Sequence, residues 1–306
     1  MCLNLTKLML PIAAERRAYI ELHIAIFLYG LSAILAKLMQ LSSIMVVWWR
    51  LFLTCLVFLL VTNVWKTARQ LPLFVLQRFA GIGGLIMLCW ICFFAAIKYS
   101  NASVALIAFS LTALFSAILE PILERKPIKK HEIALGIVIL PAVSIVAGGL
   151  PSNMGIGFTL GLISAILSTL FFIANKKNIH FTDSITMTFS VFGFAWFFMT
   201  LLISILYILK NPLVDMLLPN GSDWFYLSVM VLLCTNFAYV LTFRAMQHLS
   251  AFMTNLAFNL EPVYGMLMAI PILHENKELP LSFYLGGLMI LSIVLSYPFV
   301  KAKFEK

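Results

Sequence analysis

The chain has 306 residues, of which 62% are hydrophobic and 11% charged, whereas a soluble domain holds about half apolar and about a quarter charged residues. A water-soluble fold of this length has no interior large enough for that much apolar surface, which excludes an ordinary soluble enzyme or binding module and makes lipid the solvent. The formal charge of +9 does not indicate nucleic acid, because the basic residues lie between apolar runs and read as membrane-orienting charges.

Met1 to Arg17 carries Lys7, Arg16 and Arg17. It has no small-residue cleavage site before a polar mature region, so the first helix is expected to be retained. Apolar runs then occupy 19–38, 43–62, 79–97, 102–121, 132–150, 157–175, 184–207, 224–243, 250–273 and 280–300. Each has about 18 to 24 residues, enough to cross about 30 Å of hydrocarbon. The expected fold is all-α integral membrane, with ten transmembrane helices joined by short turns such as 98–101 and 244–249 and with no linker or soluble domain.

The chain repeats itself across its midpoint. AFSLTALFSAILEPILE (Ala108 to Glu124) returns as AFNLEPVYGMLMAIPILHE (Ala257 to Glu275), about 149 residues later. Ala108-Phe109 matches Ala257-Phe258, and Leu111 matches Leu260. Pro121-Ile122-Leu123 falls on Pro271-Ile272-Leu273 after a one-residue slip. The same offset pairs Phe94 with Phe243, Ala96 with Ala245 and Ala102 with Ala251. The chain therefore divides into a cytoplasmic N-terminus (1–18), a first five-helix repeat (19–150), a second (157–300) and a cytoplasmic tail (301–306). Five helices is an odd number, so the second copy must enter the membrane inverted, the arrangement that builds carriers.

With the N-terminus inside, sixteen Lys and Arg residues fall on the cytoplasmic side, against Lys37, Lys98, Lys210 and Lys277 opposite. Arg50 is left inside the second helix. Both termini are accordingly expected in the cytoplasm.

The stretch from Phe93 through Lys98-Tyr99-Ser100-Asn101-Ala102-Ser103 to Glu124, with its twin from Phe243 through Leu260-Glu261-Pro262-Val263-Tyr264 to Glu275, resembles the drug/metabolite transporter superfamily and within it the EamA family of ten-helix carriers. Glu124-Arg125 and Glu275-Asn276 resemble the glutamate that ends that family's fourth and ninth helices. Thr112-Ala113 stand where many members have a proline like Pro262, a departure that weakens the case for both halves kinking alike. The resemblance covers about 19 to 300 and marks architecture. It implies a substrate cavity between the halves, the export of amino acids or other small metabolites, and a bacterial plasma (inner) membrane location.

Several side chains are candidates for the substrate pathway. Arg50 follows Trp48-Trp49 about eight residues into its helix. It either faces a wet cavity or snorkels to the outer interface. Glu261, in the middle of the ninth run and followed by Pro262, could bind a cation or cycle a proton, or stay a neutral hydrogen-bonded carboxyl. Asn255 and Asn259, one turn apart, could contact a polar substrate or join helices. Trp90, Asn236, Tyr239 and Tyr264 could line the same cavity or simply pack. Glu120, Glu124 and Glu275 read as boundary residues, and Glu21 and His23 as interfacial. Cys89-Trp90-Ile91-Cys92 has CxxC spacing inside an apolar helix, with no second thiol pair or histidine cluster to suggest a metal. The close glycines 157/161 and 81/83/84 read as helix-packing sites.

No Walker loop, HExxH or GxSxG is present, and the three aspartates lie in loops or at helix ends. These observations predict a secondary carrier with no enzyme activity and no cofactor. Its partners would be a small-molecule substrate, the lipid bilayer and a coupling proton, with oligomeric state left open. The expected cargo is a small polar or amphipathic metabolite such as an amino acid. Drug or quaternary-amine efflux is the rival, and a non-transporting receptor or scaffold is the alternative of another class. Arg50 and Glu261 are the two opposite charges placed well inside the hydrocarbon layer. They are expected to pair directly or to face the cavity, where they would suit a zwitterion.

Overall fold

The computed structural model describes residues 2–61, 63–125, 149–209, 218–249, 251–258 and 260–274, with scattered positions at 127–145 and 280–296. Every regular element among them is helical. α1 spans Cys2–Leu38, α2 Ser43–Val61, the short α3 Val64–Arg69, α4 Leu73–Tyr99, α5 Ala102–Phe109 and α6 Thr112–Glu124. After a 3₁₀ turn at Ser152–Met154 come α7 (Gly155–Asn178), α8 (Ser184–Ile208) and α9 (Gly221–Val231). α9 runs through a π turn, Leu232–Phe237, into α10 (Ala238–Met246), and α11 (Ala251–Phe258) and α12 (Glu261–Leu273) follow.

Short polar turns start several of these helices, as the four unpaired N–H groups of a helix start require. Asn101 Oδ1 accepts from Val104 N at 2.9 Å, Asn220 Oδ1 from Asp223 N at 2.8 Å, and Asp183 Oδ1 from Ile185 N at 2.9 Å and Thr186 N at 3.0 Å. Between these turns, seven stretches are long and apolar enough to cross a bilayer. They coincide with the first four predicted runs and with the sixth, seventh and eighth. α4 begins at Leu73 rather than 79, because Pro72 supplies its extended cap. Leu60 and Ile208 are each 77% exposed, a surface suited to lipid rather than to water. The protein is an integral multi-pass membrane protein. The runs predicted at 132–150 and 280–300 fall largely outside the described residues, as does the tail 301–306.

The fourth and ninth runs are not single helices. Each breaks in two at the same place, and every boundary of α5 and α6 recurs 149 positions later in α11 and α12. Leu111 N donates to Ala108 O at 3.3 Å and Leu260 N to Ala257 O at 3.0 Å; Phe115 N then donates to Leu111 O and Tyr264 N to Leu260 O. Both second segments end in the left-handed region, at Arg125 (φ 52°) and His274 (φ 55°). Thr112 in the place of that proline does not stop the first half from breaking where the second does. Pro262 lies in the first turn of α12, where a missing N–H is one the helix would leave unpaired anyway. In the first half no proline is needed, because Ser110 Oγ donates to Ile107 O at 2.6 Å and satisfies a carbonyl at the break.

α1 packs chiefly on α10 and α12, and α7 packs chiefly on α4, with α5 and α6 alongside. The two halves thus lend each other their first helices. Glycine makes several helix approaches close. A Cβ on Gly83 would lie 2.7 Å from Val191 O of α8, and one on Gly30 would lie 3.0 Å from Gly265 N and 3.2 Å from Glu261 O of α12. Gly157 and Gly161 likewise meet α4 and α5, whereas Gly81 and Gly84 face open space. Side-chain bonds mark the two ends of the bundle. Arg244 and Arg17 both meet Glu21, at 3.0 Å and 2.9 Å, at one end; Gln40 N donates to Asp223 Oδ1 at 3.0 Å at the other.

Candidate functional site

Arg50 is 3% exposed and turns into the bundle, away from the outer interface. An isolated guanidinium within the hydrocarbon layer is costly unless its donors are satisfied. Here Nε donates to Thr235 Oγ1 at 2.7 Å, Nη1 to Ser32 Oγ at 3.1 Å and Nη2 to Cys234 O at 3.0 Å. The last contact depends on the π turn. A wide turn interrupts the i→i−4 ladder and leaves carbonyls free, and Thr235 Oγ1 bridges it by donating to Met230 O, five residues back, at 2.8 Å. The charge also lies over the Trp90 ring, 4.0 Å from its centroid, and 5.5 Å from that of Phe94. One cation thereby joins α1, α2, α4 and the π turn.

Glu261 opens α12 and is 5% exposed. With Arg50 it lines a small cavity of about 40 Å³ between the halves, which holds about one to three water molecules and is too small for an amino acid. Among the described residues no ion pair joins Glu261 to Arg50. Of the two arrangements expected for these charges, shared exposure to a cavity is the one found, and direct pairing is not.

The rest of the lining is largely aromatic and follows the repeat. Trp90 and Tyr239 both line the cavity, as do Phe109 and Phe258; the members of each pair are 149 positions apart. Trp90 Nε1 donates to Tyr239 Oη at 3.2 Å, so a position bonds to its own counterpart. Such a contact lies on the axis relating the halves. The Tyr239 ring also meets Tyr29 edge-on at 5.0 Å and Phe192 at 4.9 Å. Symmetry fails at the charge, since the counterpart of Glu261 is Thr112.

Four of the eight sequence candidates, Arg50, Trp90, Tyr239 and Glu261, therefore meet at one cavity. Asn236 does not; it sits on the π turn with Nδ2 3.4 Å from Thr54 O. Tyr264, nearly one turn beyond Glu261, packs edge-on against Phe27 at 5.7 Å. Asn259 and the side chain of Asn255 lie outside the described residues. Sequence reasoning missed Tyr29, Ser32, Cys89 and Ser168. Tyr29 and Ser32 carried a signal, as two polar side chains three apart on one face of an apolar helix. Cys89 was read only as half of a CxxC spacing without a metal. Among the described residues no cluster of His, Cys, Asp and Glu could hold a metal.

Comparison with known proteins agrees with this architecture. The sequence matches the EamA-like transporter family twice, at residues 16–148 and again at 155–297. A solved structure titled "Crystal structure of protein" is similar over 96% of this chain and 99% of its own, with a TM-score of 0.68 at 15% identity. That likeness is one of fold. No curated protein matches the sequence significantly.

Proposed function

Because the chain belongs to the EamA-like transporter family, a family of membrane transporters, we propose that it is a secondary carrier exporting a small zwitterionic metabolite, such as an amino acid, by alternating access. The observation that carries this reading is that Arg50 and Glu261 line one aromatic-walled cavity with no ion pair between them among the described residues. A guanidinium offers a flat two-pronged donor set to a carboxylate. A carboxylate on the opposite wall, with aromatic faces beside it, accepts an ammonium group. The same carboxyl can carry a coupling proton when no ammonium occupies the site.

The finer architecture belongs to this proposal: ten helices in two inverted halves, both termini cytoplasmic, in a bacterial plasma membrane. Support comes from boundaries that recur at a fixed offset in the broken helices and from the excess of Lys and Arg on one side. The aromatic lining around Glu261 favours a second reading, efflux of organic cations, against which Arg50 in the same cavity would work.

Flux of radiolabelled amino acids and of a quaternary ammonium cation, measured in reconstituted vesicles, separates these readings. Carriage of the amino acid is expected. Carriage of the cation alone would select the efflux reading, and carriage of neither would leave a receptor or scaffold.

A further inference from the structure

Each end of the bundle carries a lysine contact between helices, and the two contacts occupy matching places in the two halves. Lys37, in the last turn of α1, donates from Nζ to Ser100 O at 3.1 Å, in the turn between α4 and α5. Lys176, in the last turn of α7, donates to the carbonyls of Met246 and Leu249, in the turn between α10 and α11. Ser100 and Leu249 are 149 positions apart. The contacts lie at opposite ends, the first beside Gln40 and Asp223 and the second beyond Arg244. Lys98 doubles the first by donating to Met39 O at 2.5 Å.

Their placement relative to packing distinguishes them from ordinary helix-end contacts. α1 packs most on α10 and α12 and α7 most on α4 and α5, while α12 on α5 and α11 on α6 join the two sets. Lys37 therefore reaches from the first of these packing groups to the second, and Lys176 reaches back at the other end. Other end contacts stay inside one group, such as Arg244 to Glu21, Arg78 Nη1 to Asn178 Oδ1 at 3.2 Å, and Lys177 to Leu123 O at 2.7 Å. The cavity lies between the groups, and both lysine contacts are made while it is too small for an amino acid.

We propose that Lys37, assisted by Lys98, and Lys176 are the two gate residues of the carrier, and that opening to one side of the membrane breaks one contact while the other holds. This inference rests on the alternating-access reading above. The acceptors are backbone carbonyls at helix C-termini, which draw a cation through the helix dipole, and an ammonium on a flexible stem can leave and return without a shaped partner.

Cys89 lines the cavity and can report its exposure. In the full chain with Cys2, Cys55, Cys92 and Cys234 replaced by alanine, a membrane-impermeant thiol reagent is applied to each face of oriented vesicles. Lys37→Met is expected to speed Cys89 labelling about tenfold from one face, and Lys176→Met by about as much from the other, the scale of one lost charge-assisted hydrogen bond. Lys37→Arg and Lys176→Arg, which keep a charged donor, should label as slowly as the parent. If the methionine variants fail to insert, Lys37→Gln and Lys176→Gln carry the same expectation. Acceleration from the same face, from both faces by either variant, or in neither would overturn the assignment. Labelling needs no substrate. Opposite-face exposure without flux would uphold the gates and sink the zwitterion reading; flux with same-face exposure would do the reverse.

Discussion

The broken helix of the first half and that of the second share one backbone and differ in chemistry. Ala102–Phe109 and Thr112–Glu124 meet through the same turn as Ala251–Phe258 and Glu261–Leu273, with the Leu111 and Phe115 backbone bonds repeated at Leu260 and Tyr264. The first uses a serine hydroxyl at the break, and the second places a proline in the turn that follows. One opens its second segment with Thr112, the other with Glu261. The backbone of a half is thus a property of how helices pack against their counterparts. Charge is added locally, on one side of the axis, and makes the shared cavity polar in a direction.

The largest effect should come from removing the cation that faces Glu261. Arg50→Ala is expected to lower kcat/KM for a zwitterion about 100-fold, the scale of one strong hydrogen bond to a charged group. Arg50→Lys should recover little, since a point charge cannot reach Ser32, Cys234 and Thr235 together. Initial uptake rates in vesicles measure both, and normal rates in Arg50→Ala would make it a structural link between helices. Next in size is the asymmetry itself. Glu261→Gln should cost about tenfold for a zwitterion, the loss of one ammonium contact, and should flatten the pH dependence of transport. Thr112→Glu, which gives the first half the carboxylate it lacks, should move selectivity toward cations in competition assays. An unchanged ratio would mean that the two positions do not face one substrate. The smallest effect tests the backbone. Pro262→Ala should change thermal stability by under about 1 kcal/mol, because the residue sits in a first turn that tolerates proline without requiring it. A large loss would return the break to proline.

The sequence carried the membrane class, the repeat and both buried charges, because each depends on composition or on direct identity between copies. Arg50 and Glu261 were legible as charges that lipid cannot accommodate. The first-half break was not, since Ser110 and Leu111 are unremarkable inside an apolar run and only comparison of the two backbones reveals them. Nor was the π turn at Leu232–Phe237, which matches a partner 184 residues upstream rather than any local preference. Ser168 escaped for another reason. A helix apolar on every side gives no periodic signal of which face looks inward.

The bond between Trp90 and Tyr239 has a geometric consequence of its own. Exchanging the shapes of the two halves moves every contact onto its image, so a bond at one end becomes a bond at the other. A bond between a residue and its own image has nowhere else to go. If the halves trade shapes as proposed, the 3.2 Å separation of Trp90 Nε1 and Tyr239 Oη is the fulcrum of the motion. Distances measured outward from it should lengthen on one side as they shorten on the other, while the fulcrum itself keeps its length throughout the cycle.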